Sequence, residues 1–336
     1  MPRVSGARAE VCLRASIDVG AYVAALAWSP DSAAVAIADD AGTVTVLDAR
    51  DGASKRVAAH ADGALTLDWS TRDVLASGGR DGRIVIGGTG SDVGRGWVER
   101  VAWHPTGDLL AVAHRRLVSF WTSQGECLDV STELPATVVC LQWHPKSSVC
   151  AAGSYGGVRL ISAHDASSAT PPAWKGSVLA LAFSPDGQRL AHGNQDASIH
   201  YWDLRKHKEL EMWGYDTKVR ELAWSNDGRW LATGGGASVT VWDTSGRKGP
   251  EGSRPLVLDR HEEPISALAF RPAPGTLLAS AGRDGLVALW NVPDDDLPVA
   301  ANMLGEAATT LAWSPDGHSV AAAGAGGAVT VLSVTT

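Results

Sequence analysis

The sequence lacks the long apolar stretches that membrane insertion requires. No run approaches the roughly 18 consecutive apolar residues of a membrane-spanning helix, and the first ten residues contain no apolar core of the signal-peptide type. It also lacks an N-x-S/T glycosylation site and any C-x-x-C pair among its four cysteines, Cys12, Cys127, Cys140 and Cys150. We therefore expect a protein without a membrane partner that carries free thiols in the reducing cytoplasm.

The sequence also has no excess of basic residues. Lys and Arg number 29 against 37 Asp and Glu, which gives a net charge of −8 with the two signs interspersed. This balance argues for solubility and against a nucleic-acid partner. Phenylalanine is scarce, at three residues, whereas tryptophan and glycine reach 14 and 37. Such usage indicates many tight turns and one aromatic residue used repeatedly in one structural role.

A short phrase recurs along the whole chain. Clear copies are "AALAWSPD" ending at Asp31, "LALAFSPDG" ending at Gly187 and "TTLAWSPDG" ending at Gly317, and "LTLDWSTRD" is a weaker copy. The aromatic anchors of the phrase are Trp28, Trp69, Trp103, Trp143, Phe183, Trp224, Phe270 and Trp313. Eight copies at about 42 residues account for all 336 residues.

Each copy has the same internal order. An alternating apolar strand carries the anchor, a turn of the S-P-D-G type follows, and a strand of small residues such as "LLASAGRDG" (Leu277 to Gly285) leads to a second turn. A third strand and a looser fourth segment complete the copy, and no stretch shows the period of a helix. Four short strands in each copy predict an all-β fold of stacked four-stranded sheets.

These features resemble the WD40-repeat family, and the resemblance covers essentially the whole chain. The seventh copy contains the family's full set of four hydrogen-bonding residues, and Trp-Asp dipeptides occur at Trp202 and Trp242. That structural tetrad consists of His261, Ser280, Asp284 and Trp290. The second copy keeps His60, Ser77 and Asp81 but has Gly87 in the tryptophan position. The resemblance implies a β-propeller in which each tetrad holds one blade together.

The ends of the chain bear on the number of blades. The last copy lacks an outer strand, and "EVCLRASID" at residues 10–18 is a strand-like segment of the right length to supply it. We therefore expect one propeller domain over residues 1–336, with eight four-stranded blades closed by residues 10–18. The alternative is seven blades. We expect the outer strand of blade 2 to be truncated or missing. We expect the polar segment at residues 245–255 to be a solvated loop, and the alternative is a loop that binds a partner.

Sequence patterns for chemistry are weak. The glycine-rich stretch Gly87–Gly96 lacks the spacing of a phosphate-binding loop, and "AGSYG" (Ala152 to Gly156) lacks the first glycine of a nucleophile elbow. The ten histidines include no H-x-x-x-H or H-E-x-x-H pattern. The hypothesis is a non-catalytic scaffold without metal or cofactor; the alternatives are a propeller that binds a metal or small ligand, or less simply a propeller enzyme.

In the WD40 family the top face of the propeller, around its channel, is the usual binding surface. By repeat register, three positions are exposed there in each copy: six residues before the anchor, four residues before it, and the residue before the turn aspartate. In this chain the first position gives Tyr22, Trp97, Lys218 and Pro264, the second Glu99, Arg220 and Ser266, and the third Asp40, Arg80, Tyr155, Gln195 and Arg283.

This set is rich in Arg, Tyr and Trp, the residues that dominate interface hot spots. It is also net basic on an acidic chain, so we expect a protein or peptide partner with an acidic segment. Trp97 has a second interpretation, in which it covers the gap left by the short edge of blade 2. The sequence gives no prediction of the oligomeric state.

Overall fold

The computed structural model describes residues 9–131, 133–169 and 176–335, and in these ranges the chain forms strands and turns. In the first half of the chain the strands are β1 (Glu10–Asp18), β2 (Val23–Trp28), β3 (Ala34–Asp39), β4 (Thr43–Asp48), β5 (Ser54–Ala59), β6 (Ala64–Trp69), β7 (Leu75–Gly79), β8 (Arg83–Ile86), β9 (Thr89–Asp92), β10 (Val98–Trp103), β11 (Leu109–His114), β12 (Leu117–Thr122), β13 (Cys127–Val130), β14 (Cys140–Trp143), β15 (Val149–Ser154), β16 (Gly157–Ser162) and β17 (Ser168–Ala169).

In the second half the strands are β18 (Val178–Phe183), β19 (Arg189–Asn194), β20 (Ile199–Asp203), β21 (Lys208–Met212), β22 (Leu222–Trp224), β23 (Trp230–Thr233), β24 (Val239–Asp243), β25 (Leu256–Leu258), β26 (Ile265–Phe270), β27 (Leu277–Gly282), β28 (Leu286–Asn291), β29 (Ala300–Met303), β30 (Ala308–Trp313), β31 (Ser319–Gly324) and β32 (Ala328–Thr335). No helix that could cross a membrane is present in the described part of the chain.

The strands form eight antiparallel four-stranded sheets, which we number as blades 1 to 8. Blades 1 to 7 are consecutive meanders that begin at β2, β6, β10, β14, β18, β22 and β26. The innermost strands of successive blades contact one another in a closed ring, because β2 contacts both β6 and β30. The predicted eight-bladed propeller is therefore confirmed, and the seven-bladed alternative is wrong.

Blade 8 is built from both ends of the described chain. Its strand order is β1-β32-β31-β30, so the first strand of the chain becomes the outer strand of the last blade. The register runs from Glu10 opposite Thr335 to Asp18 opposite Ala328, with one irregularity between Leu13 and Ala15. This pairing confirms closure by residues 10–18 and covers the edge that β32 would otherwise expose.

The repeated anchor tryptophan links each blade to the one before it. The indole N–H of Trp28 donates to the carbonyl of Ala312 at 2.9 Å, and Ala312 directly precedes the anchor of the previous blade. Three further anchors donate to the equivalent carbonyl of the blade before them. These are Trp143 to Ala102 at 2.8 Å, Trp224 to Ala182 at 3.1 Å and Trp313 to Ala269 at 3.0 Å. A buried indole N–H needs an acceptor, which explains why the repeat uses tryptophan here more often than phenylalanine.

In two blades a side chain of the preceding blade accepts the backbone N–H of the anchor. The carboxylate of Asp68 accepts the backbone N–H of Trp103 at 2.7 Å, and the side-chain oxygen of Gln142 accepts that of Phe183 at 2.6 Å. Burial raises the pKa of Asp68 to about 6, against the opposing effect of its two backbone hydrogen bonds. Blades 2 and 3 are therefore joined through a carboxyl group whose ionised form is less favoured than it would be in water.

The tetrad residues of blade 7 form one hydrogen-bonded chain. The His261 ring contacts Asp284 at 3.1 Å through Nδ1 and the Ser280 hydroxyl at 2.8 Å through Nε2. The fully buried Trp290 indole then donates to the same hydroxyl at 2.8 Å. In blade 2, His60 makes the corresponding contacts with Ser77 and Asp81, at 2.9 and 3.1 Å.

Blade 6 uses different residues for the same purpose. Tyr215 lies nine residues before its anchor, as His261 does, and its hydroxyl contacts Thr233 Oγ1 at 3.1 Å. The indole of Trp242 donates to that hydroxyl at 2.8 Å. The strand-to-strand connection of the tetrad is therefore kept with a phenol in place of the imidazole.

The two irregular blades follow the sequence-based expectation and add detail to it. Blade 2 has an outer strand, β9, which is four residues long and pairs with β8, so it is truncated but not missing. Residues 245–255 are held against blade 5, because Lys206 Nζ donates to the carbonyl of Arg247 at 3.2 Å and Lys208 forms an ion pair with Glu251. Most residues of the segment are exposed, so it is a solvated loop as expected, and these two contacts tie it to the neighbouring blade.

Candidate binding surface on the top face

The first and third positions of the repeat lie side by side at one end of the blades. The innermost strand begins where the second strand ends, because the two are antiparallel. Backbone hydrogen bonds join the positions directly: Asp40 N–H to Tyr22 O at 2.9 Å, and Arg283 N–H to Pro264 O at 3.0 Å. The same bond runs from Arg80 to Gly63 and from Gln195 to Ser177. We call this end of the ring the top face.

The second position falls on a recurring irregularity of the innermost strand. In blade 3 the pairing register shifts between Val98 and Arg100, so Glu99 is the extra residue, and in blade 7 the same shift makes Ser266 the extra residue. Blades 1, 2, 5 and 8 show the shift at the corresponding place. A bulge bends the strand and changes the direction of a side chain, so each of these six blades presents one residue at the same point.

Three of the predicted aromatic residues are exposed on this face. Tyr22 is 46% exposed, Trp97 52% and Tyr155 67%, which is high for rings of this size. The guanidinium of Arg80 lies over the Trp97 ring, 5.5 Å from its centroid. Trp97 therefore packs on the surface of blades 2 and 3, and its other side remains free to contact a partner.

The predicted cations do not form a single cluster. Arg80 belongs to blade 2, whereas Lys218 and Arg220 belong to blade 6 and Arg283 to blade 7. Blades 2 and 6 are opposite one another in a ring of eight. The top-face residues therefore fall into two groups. The first contains Arg80 and Trp97, and the second contains the three other cations. Tyr155 and Gln195 lie on the blades between these groups.

A buried carboxyl group that we did not predict lies within the second group. Burial raises the pKa of Glu221 to about 7, and the backbone N–H and charge of Arg220, with the charge of Arg283, oppose the shift. Burial also raises the pKa of Glu99, against the nearby Arg100. The Glu221 carboxyl therefore titrates near neutral pH, so the net charge of this group changes there.

Trp213 is a second residue that the sequence did not indicate. It follows β21 at the top of blade 5 and is 79% exposed. It falls outside the three repeat positions, since it belongs to the connection between the outer strand of one blade and the inner strand of the next. A tryptophan that precedes no S-P-D-G turn was the available signal.

Comparison with known proteins agrees with this geometry. The model of the family "WD domain, G-beta repeat" matches residues 167–203, 208–243 and 252–291, which correspond to three successive repeats. This chain contains WD40 repeats and is an eight-bladed β-propeller. The three matches follow the repeat through blades 4 to 7, and the eight-bladed ring extends the same architecture over the described chain.

Among curated relatives, this WD40 propeller is 27% identical to Protein hir1 of Schizosaccharomyces pombe over 186 residues, which cover 47% of this chain and 19% of that protein. It is 30% identical to THO complex subunit 3 of Arabidopsis thaliana over 208 residues, which cover 59% of this chain and 64% of that protein. The chain thus matches about a fifth of the length of hir1, and each relative contains sequence beyond the match.

Solved structures show the same fold. The computationally designed Ika8 protein superposes with a TM-score of 0.80 at 19% identity, covering 96% of this chain and 99% of that one. A chain of the mitotic checkpoint complex superposes with a TM-score of 0.68 at 20% identity, covering 100% and 97%.

The patterns considered for chemistry occupy structural positions in this WD40 propeller. Gly87–Gly96 contains the outer strand β9 and its turns. Ser154 is 2% exposed, and its hydroxyl donates a hydrogen bond to the carbonyl of Tyr155. Among the residues that the structure describes, no group of three or more His, Cys, Asp or Glu is arranged to hold a metal ion.

Proposed function

We propose that this propeller is a non-catalytic, cytoplasmic scaffold that binds an acidic segment of a protein partner on its top face. The observation that carries the proposal is the placement of exposed aromatic and cationic residues at equivalent positions at one end of the ring. Tyr22, Trp97 and Tyr155 supply contact area, and Arg80 and Arg283 can make planar two-point contacts with carboxylates.

The distribution of charge supports an acidic partner. The chain as a whole carries a net charge of −8, whereas the predicted top-face positions contain four cations and two acids. A basic rim on an acidic body attracts acidic segments, and this attraction acts mainly on the rate of encounter. Two groups on opposite sides of the ring suit an extended segment that crosses the face, because each group contacts one part of it.

The relatives support a role in assemblies. THO complex subunit 3 is by its name part of a complex, and one structural neighbour was solved within the mitotic checkpoint complex. We extend this to the present chain as a proposal: it holds partners together and does not transform them. The exposed free thiols Cys12 and Cys127 fit a reducing compartment.

The test combines affinity capture with charge reversal. Wild-type protein and the R80E/R283E variant are used as bait, and captured proteins are identified by mass spectrometry. We expect a partner with an acidic segment whose capture falls with salt and is lost in the variant. The matched control is R205E/R254E, which makes the same change in net charge at exposed arginines outside the top-face positions. Equal capture by all three folded proteins at low and high salt would refute the proposal.

A further inference from the structure

One position in the third strand of the blades is filled by a large apolar side chain in seven blades. It lies opposite the start of the second strand, where Trp290 pairs with Leu278 in blade 7. The residues at this position are Leu47, Trp121, Ile161, Trp202, Trp242, Trp290 and Leu332. In blade 2 the position is occupied by Gly87, whose N–H donates to the carbonyl of Leu75 at 2.9 Å. Blade 2 therefore lacks one side chain of the repeat.

A cavity of about 380 Å³ lies at this place, between blades 1 and 2. Its apolar lining comes from Val46 and Ala58 of blade 1 and from Trp69, Leu75 and Val85 of blade 2. The volume falls within the range of about 300–1,000 Å³ that is typical of ligand pockets. The cavity lies toward the end of the blades opposite the top face, since Gly87 follows the end of β8.

The cavity also presents a hydrogen-bond acceptor. In blade 7 the Ser280 hydroxyl contacts two groups, His261 Nε2 and the Trp290 indole, each at 2.8 Å. In blade 2, Ser77 is one of the residues that line the cavity, and its hydroxyl contacts His60 Nε2 at 2.9 Å; within the described residues no indole donates to it. A ring N–H entering the cavity would thus find an acceptor equivalent to the one that Ser280 provides to Trp290 in blade 7.

The rim of the cavity is cationic. Lys55 and Arg56 of β5 line it and are exposed, and neither forms an ion pair within the described ranges of the chain. Asp73 also lines it, but its Oδ1 accepts the Trp69 indole N–H at 2.9 Å. The two free cations are therefore available for carboxylates next to an inserted ring.

We propose that this cavity binds a tryptophan side chain of a partner segment, with flanking carboxylates on Lys55 and Arg56. The partner's ring replaces the side chain that blade 2 lacks, donates to Ser77, and packs on Leu75 and Val85. This site is on a different part of the ring from the top face, so it does not depend on the function proposed above. It makes the gap between blades 1 and 2 a specific recognition site for an acidic, tryptophan-containing segment.

The experiment uses a fluorescein-labelled peptide, Glu-Asp-Trp-Glu-Asp, and its counterpart with alanine at the centre. Binding to the full chain is measured by fluorescence anisotropy. We expect the tryptophan peptide to bind about thirtyfold more tightly than the alanine peptide, as is usual for a buried aromatic hot spot. The K55E/R56E variant is expected to lose most of this binding, and R205E/R254E and R80E/R283E to retain it.

A second variant tests the cavity itself. Val85 lies on the cavity wall within β8, and a V85W substitution places an indole in the space from inside. The folded variant should no longer bind the peptide. Equal binding of the two peptides, no binding by the wild-type chain, or unchanged binding by folded V85W would each overturn the proposal. If V85W fails to fold, the charge-reversal variants decide, because their substitutions are at exposed residues.

Discussion

Replacing Trp290 with alanine should destabilise the propeller far more than the same change at Trp97. Trp290 is fully buried among side chains of blades 6 and 7, and its indole donates to Ser280. A buried aromatic side chain removes about 150–250 Å² from water, which at about 25 cal/mol/Å² corresponds to about 4–6 kcal/mol. Because alanine retains part of this area, we expect a loss of about 4 kcal/mol.

The contrasting residue contributes much less. Trp97 is 52% exposed, and its clearest contact is the stacking with Arg80 at 5.5 Å. An exposed cation–π pair contributes about 0.5–1 kcal/mol. The entropy of unfolding for 336 residues is about 0.7 kcal/mol/K, so Trp290→Ala should lower the Tm by about 6 °C and Trp97→Ala by less than about 2 °C.

Differential scanning calorimetry and urea unfolding measure both variants on the same scale. Trp290→Phe serves as the control, because it keeps a buried aromatic ring while it removes the N–H that donates to Ser280 and part of the ring volume. It should fall between the wild type and Trp290→Ala. Equal losses for Trp290→Ala and Trp97→Ala would refute the reasoning and make Trp97 a structural residue rather than a binding one.

Deleting residues 1–18 removes β1 and exposes the edge of β32, so the Tm should fall by several degrees and light scattering should report association; an unchanged Tm would contradict closure. The pKa of Glu221 is raised from its ordinary 4.5 to about 7, so the unfolded state ionises first and the stability of the wild type should fall as pH rises through this range. Glu221→Gln should remove that loss, so its free energy of unfolding should gain about 2–3 kcal/mol relative to wild type between pH 4 and pH 8, as measured by urea unfolding. Parallel pH profiles of the two proteins would contradict this prediction. A thiol reagent should label Cys12 and Cys127 in the native protein and the two buried cysteines only after denaturation. Rapid labelling of all four cysteines in the native protein would contradict this prediction.

The fold could be predicted from the sequence because its information is periodic. Eight anchors at similar spacing fix eight equivalent sheets, and the missing last strand predicts the role of residues 10–18. The top-face positions follow from the same register, and the structure places Tyr22 beside Asp40 and Arg283 beside Pro264 as the register implies.

The parts that could not be predicted depend on contacts between different blades. The burial of Glu221, near the charge of Arg283 on the next blade, is one such case. The use of Tyr215 in place of the tetrad histidine is another, because only the folded blade shows which hydroxyl the Trp242 indole reaches. The position of Gly87 was evident in the sequence, but the cavity beside it requires the neighbouring blade.

The pairing of β1 with β32 has a consequence for how the ring responds to mechanical load. Glu10 lies opposite Thr335, so the two ends of the paired segments meet at the same corner of blade 8. A force that separates these ends pulls across the strands and breaks the hydrogen bonds one at a time, starting from that corner, rather than loading them together. We therefore expect stretching from these two ends to open the ring at low force, by detaching β1 before any other strand of the propeller.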